Sequence, residues 1–276
     1  MYQFKPVTER VQKYRDQIRD RVLIYDTDRM KIVTDAYKKY WKMAPVLLKA
    51  KAQYEYCEKG YCFVGDEELI VGGKGKTMFA GTQYPEWGVA MWIVDEVESG
   101  RWHMEDDGLW HNPTEDTEMQ AISPEDVEYT KSVAAFWADH HAGQMAEAWQ
   151  PAFFEEFKRL NVSSYVDGPG HFPVVGLPLG HLIAGYKKII TKGYKAIRDE
   201  AQLWLDQHYD RLMGEDVRKC MFYNAVVTTC DAAMLMIKRY GDAVKEKADA
   251  CTDAKRKAEL DTMAENLYWL VEHPAK

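Results

Sequence analysis

The stretch Gly180 to Ala201, GHLIAGYKKIITKGYKAIRDEA, constrains this chain more than any other. Ile183, Tyr186, Ile190, Tyr194 and Ile197 recur at steps of three and four, while Lys187, Lys188, Lys192, Lys195, Arg198, Asp199 and Glu200 fill the other side. That spacing predicts a helix with one apolar and one solvated face. A helix that begins just after Gly180-His181 would hold the imidazole beside free backbone N–H groups at a positive helix end, a place suited to polar recognition. The segment before it, YVDGPGHFPVVGLPLG from Tyr165 to Gly180, is a glycine-rich apolar loop, and loops this long without structure of their own are often functional. His181 is thus the main candidate for recognition, and His171, in the same loop, the second. A capping or core histidine is the plain alternative for both.

The rest of the chain reads as mainly helical with a few short strands. Val11, Tyr14 and Ile18 predict a surface helix from Thr8 to about Val22. Asp26-Thr27-Asp28 can cap a second helix, striped by Met30, Val33, Ala36, Tyr37, Tyr40 and Trp41. Pro45 permits a third helix start. Tyr61 to Val64 and Leu69 to Val71, short apolar runs between glycines, predict buried strands, and Val89 to Val94 is strand-like. Around these, residues 95–125 form an acidic, tryptophan-rich loop. Ser123-Pro124-Glu125-Asp126 opens a helix through Trp137 that can extend through Met145 and Trp149. Phe153, Phe154 and Phe157 suggest a short helix. Phe222 to Val244 marks a long amphipathic one, and Thr252-Asp253 caps the last.

Composition narrows the function classes. With 44 acidic against 36 basic residues the formal net charge is -8, which argues against a nucleic-acid partner. No apolar run approaches bilayer-spanning length and the N-terminus lacks a signal-peptide core, so no membrane association is expected. Five scattered cysteines, Cys57, Cys62, Cys220, Cys230 and Cys251, read as free thiols in a reducing cytoplasm.

Several motifs fail on inspection. Gly72-Gly73-Lys74-Gly75-Lys76-Thr77 resembles a phosphate loop, but Ile70 stands where the first glycine belongs. Met78 occupies the third glycine of a dinucleotide fingerprint. Cys57 and Cys62 lack the second pair that structural zinc needs, and read as buried thiols. His140 and His141 project about 100° apart on a helix and cannot easily share one ion. His103 and His111 read as surface residues.

The order of several segments resembles the N-terminal half of glycyl radical enzymes of the pyruvate formate-lyase type. These are Asp28-Arg29 with Lys38-Lys39-Tyr40, then Glu68-Leu69-Ile70-Val71-Gly72, then the Gly180-His181 helix with Gly193 and Ile197. Phe222-Tyr223-Asn224-Ala225, Cys230-Asp231-Ala232, Lys238-Arg239-Tyr240, Arg256-Lys257-Ala258-Glu259-Leu260 and His273-Pro274-Ala275-Lys276 complete the match. The resemblance implies that residues 1–276 are the N-terminal part of such a domain, helical over 1–60, with short strands and an acidic loop over 61–125. Residues 126–276 would be helical again, with a substrate-side loop over 165–181. It further implies the helical half of a ten-stranded α/β barrel.

In the family one finger loop carries a catalytic cysteine and another the glycine that stores the radical, installed by a separate radical-SAM activating enzyme. Neither loop is matched here, so no catalytic residue is assigned, no cofactor or metal is expected on this chain, and the chain alone is expected to be inactive. The resemblance sets His181 facing a small-molecule substrate. Arginine at this position suits formate-lyase chemistry, whereas histidine suits elimination from a hydroxylated molecule. The implied protein is a cytoplasmic, homodimeric lyase or dehydratase of anaerobic metabolism, completed by a C-terminal half or a partner chain. A non-catalytic helical scaffold that keeps the family architecture, and a metal-carboxylate helical protein, are the alternatives.

Overall fold

The computed structural model describes residues 6–19, 21–73, 75–78, 80–82, 84–112, 119–144, 151–159 and 185–275. Nine helices and five strands carry these residues: α1 Glu9–Arg19, β1 Val22–Asp26, α2 Asp28–Tyr40, α3 Pro45–Lys59, β2 Ala80–Thr82, α4 Val89–Glu98, β3 His103–Met104, β4 Trp110–Asn112, β5 Met119–Ile122, α5 Pro124–His140, α6 Pro151–Arg159, α7 Tyr186–His208, α8 Glu215–Ala250 and α9 Ala254–Glu272. The sheet order is β2-β1-β5-β4-β3. β1 lies parallel to both β2 and β5, with Ile24 opposite Ala80 on one side and Ala121 on the other. β5, β4 and β3 then continue antiparallel.

Several of these elements depart from the sequence reading: β3, β4 and β5 stand in the stretch 95–125 read as an acidic loop, each too short to show an alternation of its own. Val22–Asp26, left without an element of its own between the helix expected to end at about Val22 and the cap at Asp26, is the strand flanked by two parallel partners. Five residues between Arg21 and a helix start are too few to show a period of their own beside a charged helix. Val89–Val94, predicted as a strand, is the first part of α4. Gly88, at φ 82°, ends a 3-10 turn over Pro85–Trp87 and lets the helix begin, and Ala90, Ile93 and Val97 then share its buried face. Tyr61–Val64 and Leu69–Val71 form no strand, and Ile70 is 88% exposed.

Other starts match their local chemistry. The Ser123 hydroxyl accepts from the Asp126 N–H at 3.1 Å at the head of α5, and Asp253 accepts from the Arg256 N–H at 2.6 Å at the head of α9. α5 stops at His140, where His141 turns extended; residues 142–144 are helical again, and the expected extension through Met145 and Trp149 lies outside the described residues. α1 buries no residue and is held at the surface by Arg10, which donates to Glu67 at 3.3 Å and to Glu259 on α9 at 2.6 Å.

Three cores result. Met30, Val33, Tyr37, Leu48, Val133 and Trp137 lock α2, α3 and α5 together, and the Trp137 indole N–H donates to the Thr34 hydroxyl at 2.9 Å. Ile93, Val97, Trp102, Ile122 and Val127 seat α4 and α5 on the sheet. Val244, Ala248, Leu260, Met263 and Ala264 join α8 to α9. α8 is the hub of the helical layer, with α3, α7 and α9 along it. One window of α8, at mean hydropathy 1.4, also meets the length and composition of a membrane span. The sequence reading expects no apolar run of bilayer-spanning length, and α8 departs from that by length and composition alone.

Candidate functional site

His171 and His181, the candidate substrate-binding residues, lie outside the described residues, as do 160–184 as a whole. What the structure places is the helix that follows them. α7 begins at Tyr186 after Gly185, several residues later than a start at His181 implies. It is also broken. Gly193 takes φ 77° and ψ 166°, so the apolar stripe does not run straight through it. Tyr186 and Ile190 are exposed, whereas Ala201 and Leu205 beyond the break are buried.

The densest polar chemistry sits at the carboxyl end of β1, and the sequence reading assigned it only a capping role. Asp26 accepts from the Asp28 N–H at 3.2 Å and from the Lys76 N–H at 3.4 Å. Burial pushes its carboxyl above the usual carboxylate range, against the pull of these two donors. Gly75 makes the approach possible, since a Cβ there would lie 2.3 Å from Asp26 Oδ2. Lys76 Nζ reaches Asp28 at 2.9 Å. Beside them the Thr27 hydroxyl donates to Asp126, whose other oxygen accepts from Ser123 at 2.8 Å.

In the first turn of α2, Arg29 forks onto Glu86, with Nη1 to Oε2 at 2.8 Å and Nη2 to Oε1. The guanidinium lies 4.0 Å from the Tyr84 ring centroid and 5.5 Å from that of Tyr56. Burial opposes its charge, but the Glu86 hydrogen bonds and charge hold it above its ordinary value. Each carboxylate here already meets a cation, a hydroxyl or a backbone donor. The cluster therefore clasps the glycine loop, α2 and α5 to the sheet; it is not poised to move a proton. On either side of Lys74, the Lys76 N–H is held by Asp26 and the Gly73 carbonyl accepts from the Tyr240 hydroxyl of α8 at 2.9 Å.

The remaining candidates resolve plainly. Burial pushes the Cys57, Cys62 and Cys230 thiols up, which keeps them protonated. His140 stacks on Phe136 with centroids 4.0 Å apart, and buried His141 accepts from the Gly143 N–H at 3.0 Å. His111 pairs with Asp107 at 2.9 Å, and His103 is exposed. No group of three His, Cys, Asp or Glu side chains able to hold a metal ion occurs among the described residues. An apolar groove of about 460 Å³ runs between α3 and α8, lined by Val46, Ala50, Phe222, Ala225, Val226 and Cys230.

A helical layer on a small mixed sheet, with a helix broken at Gly193, defines a class that comparison identifies. The pattern of the family described as pyruvate formate lyase-like matches residues 5–276, and the chain belongs to that family of glycyl radical enzymes. It is 27% identical over 261 residues to a (2S)-3-sulfopropanediol dehydratase of Klebsiella oxytoca, covering 93% of this chain and 29% of that protein. It is 26% identical to an isethionate sulfite-lyase of Oleidesulfovibrio alaskensis, covering 99% of this chain and 32% of the relative. The B12-independent glycerol dehydratase from Clostridium butyricum, solved with glycerol bound, superposes with a TM-score of 0.81 at 27% identity over 99% of this chain and 32% of that one. The chain thus spans about a third of the length of the relatives it matches.

Proposed function

We propose that these residues form the N-terminal, substrate-side part of a glycyl radical lyase that eliminates a leaving group from a small hydroxylated molecule. The likeness over nearly the whole chain to a glycerol dehydratase, at a TM-score of 0.81, carries this reading. The relatives support dehydration or a related bond cleavage over acyl transfer: they include dehydratases and sulfite-lyases. In this reading the sheet and helices of the chain are the helical half around a ten-stranded barrel. The radical-bearing glycine and the reactive cysteine belong to the two thirds of the fold the chain does not cover, in the same polypeptide or a partner. A radical-SAM activating enzyme installs the radical, and the complete enzyme is a cytoplasmic homodimer.

The open side of the helical layer fits such a partner. α8 presents Phe222, Val226, Val227, Met234, Leu235 and Ile237 only partly covered, and Met213 and Tyr209 stand out beside them. Apolar surface of this kind on a stable body is a contact face. His181 is assigned to the substrate hydroxyl, as hydrogen-bond donor or as the acid that assists its loss. His181→Ala in the complete, activated enzyme is expected to lower kcat/KM by about 100-fold or more. Unchanged turnover and affinity would remove His181 from the site and with it the preference for elimination.

A further inference from the structure

The break in α7 is filled by a distant piece of the chain. With ψ 166° at Gly193, the N–H of Tyr194 is turned off the helical ladder, and the Ile190 carbonyl, its partner in a continuous helix, accepts from the Ala275 N–H at 3.2 Å instead. The residues after α9 fit the gap closely. A Cβ on Gly193 would meet His273 O at 3.0 Å and the His273 carbonyl carbon and Pro274 N at 3.1 Å. Gly193 also adopts a φ that side chains disfavour.

The inserted residues are themselves anchored. The Trp269 indole N–H donates to Pro274 O at 2.9 Å, and the His273 ring stacks on Trp269 with centroids 4.0 Å apart. The bent form has a charge signature as well. Lys188 lies 3.8 Å from Glu200, and Lys192 pairs with the same carboxylate. In a straight helix, Lys188 and Glu200 would stand about 18 Å apart along the axis, beyond the reach of both side chains.

We propose that residues 273–275 act as a latch that holds α7 in its broken form. Withdrawing the latch lets Tyr194 pair with Ile190 O, so that α7 straightens and residues 186–192 swing away from their present direction. Each state satisfies the Ile190 carbonyl, once through Ala275 and once through Tyr194. The two forms therefore differ by an exchange of donors rather than by a lost bond, which is what makes the element bistable. The latch sets the direction of the arm that carries exposed Tyr186 and Ile190, whatever chemistry the segment before it performs.

Amide hydrogen exchange on the chain tests this without an activity assay. In the unaltered protein the Ala275 amide is expected to exchange about tenfold or more slower than a free amide, while Tyr194 exchanges as an uncapped helix-start donor. Ala275→Pro removes the latching N–H while leaving the Gly193 backbone free to take helical angles. Gly193→Ala expels the latch by crowding His273 and Pro274. In both variants the Tyr194 amide should slow by about tenfold or more as the helix closes, and in Gly193→Ala the Ala275 amide should quicken by a similar factor. An unprotected Ala275 amide in the unaltered protein overturns the proposal, as does a Tyr194 amide that Ala275→Pro leaves unchanged. Should Gly193→Ala fail to fold, Ala275→Pro alone decides.

Discussion

The α/β layer, residues 21–144, and the helical layer, residues 186–272, both carry aromatic and aliphatic side chains but close differently. In the first, the large rings turn inward. Trp102 and Trp137 are fully buried, Tyr37 lies 4.8 Å from the Trp137 ring centroid, and even the charges of Arg29 and Glu86 are folded inside. In the second, Ala232, Val244, Ala248 and Leu260 form a narrow buried seam while Met213 stays 81% exposed and Phe222 55%. The layer is stable along one line and open along another. A closed core pays for its own ordering, whereas an open one has apolar area in hand for association.

That contrast predicts unequal sensitivity to substitution. The largest effect belongs to the closed layer. Trp137→Ala removes a fully buried ring and its hydrogen bond to Thr34, and should cost about 3–5 kcal/mol in chemical denaturation, enough to unfold a marginal domain. A loss below about 1 kcal/mol would mean that this core is no tighter than the helical layer.

The next effect tests how the two layers are joined. Glu55 on α3 binds Lys59, Lys39 at 3.0 Å and the Tyr40 hydroxyl at 2.9 Å, tying the end of α2 to the helix that packs on α8. The Lys59 hydrogen bond lowers its carboxyl most; burial opposes, and Lys39 and Tyr40 add to the fall from 4.5 to about 2. A folded value below the unfolded one means that the contribution is complete above pH 4.5 and is lost as pH falls toward 2. Both lysines are more than half exposed, so solvent screening trims the effect to about 1–2 kcal/mol. Glu55→Gln should lower stability at pH 7 by that amount and flatten the acid limb between pH 5 and about 2; an acid limb of unchanged slope counts against the assignment.

Much of the fold was legible in the sequence where capping chemistry and a 3.6-residue period coincide. Ser123-Pro124-Glu125-Asp126, Pro45 and Thr252-Asp253 mark helix starts that the structure places within a residue or two. The failures share a physical cause. Val22–Asp26 and Val89–Val94 are both short apolar runs, and a run of five or six residues carries no period that separates strand from helix. Only the tertiary setting decides, a parallel partner on each side of β1 and a left-handed Gly88 before α4. The Arg29–Glu86 fork was illegible for another reason: its partners are 57 residues apart, and nothing local in either marks the other. Gly193 offered a signal, a glycine inside a helical pattern, but the pattern could not say that residues 273–275 would occupy the gap.

The smallest stability effect sharpens the comparison most. Phe222 lies on α8, half in solvent, beside the groove shared with α3. Phe222→Gln should therefore change the free energy of unfolding by no more than about 0.5 kcal/mol, since little of the ring leaves water on folding. The same substitution places a polar amide in the middle of the open face. If that face is where the helical layer takes up a partner, the unaltered chain should self-associate or aggregate in sedimentation velocity, and Phe222→Gln should shift it toward monomer at equal concentration. A chain that is monomeric before substitution, with an unfolding free energy that falls by several kcal/mol after it, would assign Phe222 to a core of its own and erase the distinction between the two layers.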